Sequence, residues 1–455
     1  MKFINLVAIS LAISGLFSSP LMAQQQTCLS QLEDQALMMK SKREGLFREP
    51  LPRSHSTFSY NIEQAFSDYL TAAYLQISSE NPRASLPCPV YTDTYQQLVE
   101  QGARPANATV ADLISPFELK QANSRKAVLL IHGLTDSPFT YHDLAQVYYQ
   151  QGYTVRTILL PGHGTAAAAL QEVDADDWRK ASVYAIERTL KDFDQVILGG
   201  YSTGAALVVD YLTQAPVDNK ITAAMLFSPA SEPHNKNGWL AKWVDAIPFV
   251  NWIDKDADLD FAKYESFPFS AASASHEAMS RISLDELHYR QLPNIAIFST
   301  FSDVDTTIDN QATFKLLAKL HDPKARKNNQ LDRLVYYGDD DNIPANFPAD
   351  YHIIRDDCDT DDCKKIKGMS HIGIVNKPSN PYYGRKASYR NCGSYLDDDK
   401  LYTACKYQKD IVMGERTVEN LQAHKPFARL TFNPYFDKLA MHINNFIKDI
   451  ESAAQ

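Results

Sequence analysis

The chain has 455 residues, 44% of them apolar and 22% charged, which is ordinary globular usage and excludes a disordered, collagen-like or coiled-coil chain. Lys plus Arg count 45 against 55 Asp plus Glu, a formal net charge of −10. With no basic run to offset that balance, the sequence carries no electrostatic footprint for nucleic acid.

Taken in chain order, the first feature is an almost uncharged stretch from Phe3 to Phe17 after Lys2, ending in Ser18-Ser19-Pro20 and Leu21-Met22-Ala23. It is short for a membrane span, which needs about 20 apolar residues. Its layout predicts a secretory signal peptide over 1–23, cleaved after Ala23, with an uncleaved anchor as the competing reading. Gln25-Gln26-Thr27 before Cys28 is not a small-residue lipobox. No second hydrophobic span follows, so no stable membrane insertion is expected after signal removal. The six cysteines agree with export into an oxidising compartment. Sequence alone does not choose their pairing, but proximity favours Cys358–Cys363 and Cys392–Cys405, leaving Cys28–Cys88. The aspartates around 358 and 363 point to a solvated loop rather than a zinc site.

Residues 24–123 form an N-terminal extension, rich in prolines, with one amphipathic helix expected where Phe66, Tyr69, Leu70, Ala73, Tyr74 and Ile77 recur at helical spacing. From 124 to 229 the pattern alternates. Strands are predicted at 127–131, 154–159, 195–198 and 223–227, with helices at 141–150, 177–190 and 204–213. Such alternation argues for a mostly parallel sheet with helices on both faces. It stops over 230–292, a stretch rich in Trp, Phe and Ala that reads as an insertion over the sheet, and returns at 293–455 with a strand at 295–299 and a helix at 311–320. A closing helix carries Phe436, Leu439, Ile443, Phe446, Ile447 and Ile450 on one stripe.

Gly200-Tyr201-Ser202-Thr203-Gly204 lies between the 195–198 strand and the next helix, the strand–turn–helix setting in which G-x-S-x-G carries a nucleophile. A turn that tight needs small flanking residues, and the helix that follows aims its N–H groups and positive dipole end at developing negative charge. Upstream, His132-Gly133-Leu134 follows the first strand of the alternation, where a backbone N–H completes an oxyanion hole. The two donors are assigned to Leu134 and Thr203. A third motif is Leu160-Pro161-Gly162-His163-Gly164-Thr165 after the second strand; His132 and His163 read as loop braces.

In this order the three motifs resemble the α/β-hydrolase superfamily, and within it the monoacylglycerol lipase and lysophospholipase branch of serine esterases. The resemblance covers 126–230 well, the acid and closing helix moderately, and the first hundred residues not at all. It implies the α/β-hydrolase fold, a cap in place of 230–292, and Ser, acid and His in that chain order. Asp303 and Asp305 compete as the acid. Counting from the strand start favours Asp303, whereas Asp305 followed by Ile308 matches the family pattern and is preferred. The family often has Gly before its acid, where this chain has Ser299 to Ser302. Of the later histidines, His321 is too close to the acid and His442 lies in the closing helix. His371, in the small-residue loop Gly368 to Gly373, is the preferred base and His352 the alternative; His424 is also available. The segment 376–430 between His371 and the last helix departs from the family, as does the long gap from acid to base.

The expected chemistry is ester hydrolysis through an acyl-Ser202, with a small-molecule or lipid ester as substrate and no cofactor. The aromatic-rich insertion suits an apolar acyl channel, though any cap packed on a core would show it. Asp254, Asp256, Asp258, Asp260 and Glu265 have part of an EF-hand spacing, but Leu259 stands where Gly is required. An iminopeptidase-type serine peptidase and a non-catalytic binding protein share the same scaffold.

Overall fold

Runs of branched and apolar residues become strands here because both faces of the sheet are covered. The computed structural model describes residues 26–54, 56–214, 216–234, 251–324, 326–356 and 365–453. The signal segment, Trp239, Trp243 and the Cys358–Cys363 pair lie outside the described residues. The strands in chain order are β1 (Glu118–Leu119), β2 (Lys126–Ile131), β3 (Thr154–Ile158), β4 (Gln195–Tyr201), β5 (Ile221–Phe227), β6 (Trp252–Asp254), β7 (Phe267–Pro268), β8 (Ala296–Ser302), β9 (Arg333–Tyr337) and β10 (His352–Ile354). Eight of them form one sheet in the order β1-β3-β2-β4-β5-β8-β9-β10. The β1–β3 pairing is antiparallel and the rest are parallel. This is the α/β-hydrolase fold.

Alternate residues of each strand feed opposite layers. Leu129, Ile131, Val196 and Leu198 pack on one face with Trp178, Leu207 and Phe314, from helices Ala175–Asp192, Thr203–Gln214 and Asn310–Leu320. Val128, Leu130, Ile197 and Met225 pack on the other with Tyr148, Ile443 and Phe446, from helices His142–Gln150 and Phe436–Ala453. The strand expected over 195–198 runs on to Tyr201, because Gly199 and Gly200 stay in register with Leu130 and Ile131 although they offer no side chain to the core. The helix expected at 177–190 begins at Ala175, where Asp174 and Asp177 form a reciprocal capping box.

The N-terminal extension holds helices Cys28–Glu33, Gln35–Glu44, Asp93–Glu100 and Val110–Ile114 besides the expected one at Phe66–Glu80. The additional helices have at most ten residues and are announced by capping side chains, Thr27, Asp34, Thr92 and Thr109, rather than by an apolar period. Disulfides join Cys28 to Cys88 and Cys392 to Cys405. Late in the chain β11 (Ile366–Lys367), β12 (Val412–Gly414) and β13 (Phe427–Arg429) form a small parallel sheet beside helix Asp399–Tyr407.

The acidic loop 256–265 is where these outlying segments meet. The side chains of Ser41, Arg48 and Arg83 donate to its carbonyls at Ala257, Asp256, Leu259 and Asp260, at 2.7–2.9 Å. Its carboxylates are spent on protein donors. Tyr402 bonds Asp256, Ser266 and Arg48 face Asp258, and Lys406 and Tyr389 reach Glu265. Tyr383 Oη donates to both oxygens of Asp260, at 2.9 and 2.8 Å. Burial, reinforced by Glu265, pushes the Asp260 carboxyl up from 3.8 to about 7. A raised folded-state value favours the protonated form, so its stabilisation is full at low pH and is lost as pH rises through the folded value. Wild type is therefore expected to lose stability relative to Asp260→Asn between pH 3.8 and about 7, with the difference flat above that, as read from urea unfolding of both proteins across the range.

Candidate active site

In a parallel sheet every strand delivers its following loop to the same edge. Adjacent β2, β4, β5 and β8 thus bring the loops after Ile131, Tyr201, Phe227 and Ser302 together. Ser202 sits at the bend after β4, with φ +54°, and donates its N–H to Phe227 O at 2.9 Å. Glycine is required on both sides. A Cβ on Gly200 would lie 2.4 Å from Ala205 N, and one on Gly204 would lie 1.9 Å from Ile131 O. The His132-Gly133-Leu134 turn packs on the same bend, since a Cβ on Gly133 would come 3.1 Å from Ser202 Cβ.

Two buried histidines hold the neighbouring loops. His132 Nε2 accepts from Leu160 N at 3.0 Å, and His163 Nε2 accepts from Thr135 N at 3.1 Å. Burial keeps both neutral, pushing His163 down to about 4 and holding His132 well below the usual imidazole range.

Asp303 and Asp305 part company just beyond β8. Asp303 turns outward and accepts from Asp339 N and Asn342 Nδ2, both at 3.0 Å, so it pins the loop after β9. Asp305 is buried and its Oδ2 lies 2.6 Å from His371 Nδ1. Burial works against charge on Asp305, but His371, Arg429 and the Thr307 amide outweigh it and hold the carboxyl below its usual range. His371 Nε2 lies 3.0 Å from Ser202 Oγ. The other histidines have different company: His321 pairs with Asp332, His442 with Asp356, and His352 is exposed on the edge strand β10. An imidazole between a carboxylate and a hydroxyl can take the hydroxyl proton and hold the resulting charge.

One part of the arrangement escaped sequence reasoning. Glu415, fully buried at the end of the 376–430 segment's β12, accepts His371 N on Oε2 at 3.0 Å and Thr306 Oγ1 on Oε1 at 2.9 Å. Arg429 Nε pairs with it at 2.8 Å, and Arg429 Nη2 also reaches Thr307 Oγ1 at 2.7 Å. One buried ion pair thus ties the loop of Asp305 to the loop of His371. Glu415 lies in a polar run, Gly414 to Asn420, whose only local cue is a charged residue directly after a strand.

A cavity of about 600 Å³ opens over Ser202. Leu134 and Thr203 line it beside the serine, His371 faces them, and helix Phe269–Ser280 supplies Phe269, Ala272 and Met279.

A sequence profile of the family described as "Serine aminopeptidase, S33" matches residues 122–345. A thermostable monoacylglycerol lipase of Bacillus sp. (strain H-257) is 33% identical over 130 residues, 28% of this chain. The chain spans about half, 51%, of that relative's length. Among solved structures, one reported with LipS and LipT, two metagenome-derived lipolytic enzymes, aligns with a TM-score of 0.39 at 21% identity, over 49% of this chain and 87% of the other. A soluble variant of monoglyceride lipase from Saccharomyces cerevisiae, in complex with a substrate analog, aligns with a TM-score of 0.40 at 17% identity, over 49% and 81%.

Removing one partner of a buried ion pair strands the other charge. Glu415→Ala is expected to lower the free energy of unfolding by about 3–5 kcal/mol, measured by chemical denaturation. A loss below about 1 kcal/mol is the range of exposed pairs and contradicts a buried Glu415–Arg429 tie between the two loops.

Proposed function

We propose that this chain, with its α/β-hydrolase fold, is an exported serine carboxylic-ester hydrolase that cleaves single-chain lipid esters, monoacylglycerol or lysophospholipid. The observation that carries the reading is the continuous hydrogen-bond chain Asp305–His371–Ser202, opening onto a cavity with an apolar wall. Ser202 Oγ attacks the ester carbonyl as His371 Nε2 takes its proton. Asp305 fixes the imidazole tautomer and balances the imidazolium. The carbonyl oxygen becomes an oxyanion held by the N–H groups of Leu134 and Thr203, each donor worth about 2.7–4 kcal/mol. The alkoxide leaves with the proton from His371, and water, deprotonated by the same imidazole, releases the fatty acid and restores Ser202.

The strained bend supports the serine's role, because φ of +54° at a non-glycine residue costs of order 1–3 kcal/mol and is maintained by packing on both sides. The two disulfides support export. Among the described residues no helix is long and apolar enough to cross a membrane. The family description "Serine aminopeptidase, S33" favours a second reading, an iminopeptidase-type peptidase on the same three side chains.

Ser202→Ala and His371→Ala are each expected to lower turnover of a p-nitrophenyl ester by roughly 10⁶-fold, and a fluorophosphonate probe to label wild type but not Ser202→Ala. Activity retained in either variant contradicts the assignment. Cleavage of aminoacyl amides without cleavage of acyl esters selects the peptidase. Absence of labelling in the wild type selects a non-catalytic binding protein.

A further inference from the structure

The cavity over Ser202 is not uniformly apolar, and its charged groups can be accounted for one by one. Lys263 is held by Asp136 at 2.8 Å, and Arg429 by Glu415 at 2.8 Å. Asp256 is bonded by Tyr402, and Glu265 by Lys406 at 3.1 Å. Two charged residues on the cavity wall remain, Asp254 on β6 and Arg416. Both are exposed. The Arg416 guanidinium has no hydrogen-bond or ion-pair partner among the described residues.

The adjacent Glu415 does not serve it. Glu415 Oε1 already accepts Thr306 Oγ1, Arg429 Nε and the main-chain N–H of Arg416, and Oε2 accepts His371 N and Arg429 Nη2. That bond to Arg416 N, at 2.7 Å, anchors the residue's backbone to the carboxylate that also fixes the His371 loop. Arg416 thus has an anchored backbone and carries, on the cavity wall, a cation without a partner among the described residues. Repulsion from its neighbour Arg429, with some desolvation, pushes its pKa down to about 10, against the opposing pull of Glu415 and Asp254. A second anion beside it would relieve that repulsion. A guanidinium presents a planar fork that binds phosphate and carboxylate oxygens in pairs. Nothing in a neutral glyceride ester uses it.

We infer that Arg416 is an oxyanion-recognition subsite of the cavity, and that the ester cleaved at Ser202 carries a phosphodiester or carboxylate group that docks there. This rests on the ester-hydrolase reading and narrows it. The hydrocarbon chain takes the wall built by helix Phe269–Ser280, and the anion takes the wall built by the 376–430 segment. Residue 416 is then a specificity residue supplied by the part of the chain that departs from the family pattern.

The test compares three esters with the same lauroyl chain: lauroylglycerol, which is neutral, lauroyl lysophosphatidylglycerol, which carries a phosphodiester, and O-lauroyl lactate, which carries a carboxylate. Steady-state kinetics are measured for wild type, Arg416→Gln and Arg416→Lys. In wild type, kcat/KM for at least one anionic ester is expected to exceed that for the neutral ester by at least about tenfold, the scale of one charge-assisted hydrogen bond. Arg416→Gln removes that preference through KM, and Arg416→Lys keeps part of it. The anionic ester that shows the effect identifies the phosphate or the carboxylate as the group recognised. An anionic-to-neutral ratio that Arg416→Gln changes by less than about twofold, or an equal loss on all three esters, overturns the subsite and leaves the ester hydrolase standing. A wild type that cleaves none of the three esters overturns the ester-hydrolase reading, and the subsite with it.

Discussion

The fold turns on a close approach of two backbones. Helix Thr203–Gln214 begins where the main chain at residue 204 touches the end of β2, near enough that a single added methyl group would overlap Ile131 O. That contact sets the bend at Ser202, which in turn puts the serine above the sheet edge instead of in the plane of β4. The surrounding order follows. Phe227 O takes the Ser202 N–H, the Gly133 turn closes against Ser202 Cβ, and two neutral imidazoles brace the loops beyond β2 and β3. Protonated, either imidazole would lose the acceptor nitrogen that a backbone N–H needs, which explains why burial and function as a brace go together.

The bend alone supplies one hydroxyl. The imidazole and carboxylate hydrogen-bonded to it come from loops far away in sequence, joined by a long connection from residue 305 to residue 371. The Glu415–Arg429 pair bonds Thr306 and Thr307 in the loop of Asp305 and the amide of His371, so one ion pair links the two loops. A buried ion pair is weak evidence of net stability, because desolvation offsets most of the Coulomb gain. Its directional bonds to both loops account for its presence better than its energy does. The 376–430 segment is thereby part of the site's framework as well as its rim.

The parallel core was legible because buried strands and amphipathic helices announce themselves by period and length. The Gly-x-Ser-x-Gly bend was legible because steric necessity restricts which residues fit it. Other features left no such mark. The short helices before residue 115 are defined by caps, and a four-residue capping pattern is too common to read alone. Asp303 and Asp305 have the same side chain two positions apart, and what separates them is which loop lies opposite, the turn after β9 or the loop of His371. Glu415 and Arg429 lie 14 positions apart in a segment without periodicity, so their pairing exists only in three dimensions.

The acidic loop at 256–265 illustrates the same limit from the other side. Alternate aspartates suggested ligands for a cation, and the missing glycine at Leu259 argued against it. In the structure the carboxylates do point inward, as ligands would, but they meet Arg48, Tyr402, Tyr383 and Lys406, which come from the N-terminal extension and the 376–430 segment. Fixed protein donors occupy the places an ion would take, and the loop serves as the junction of segments that the core does not hold. The same loop supplies Lys263 and Glu265 to the cavity wall, so the junction also borders the space above Ser202. Once its carboxylates are satisfied from behind, the charged side chains left on that wall without a hydrogen-bond or ion-pair partner among the described residues are Asp254 and Arg416.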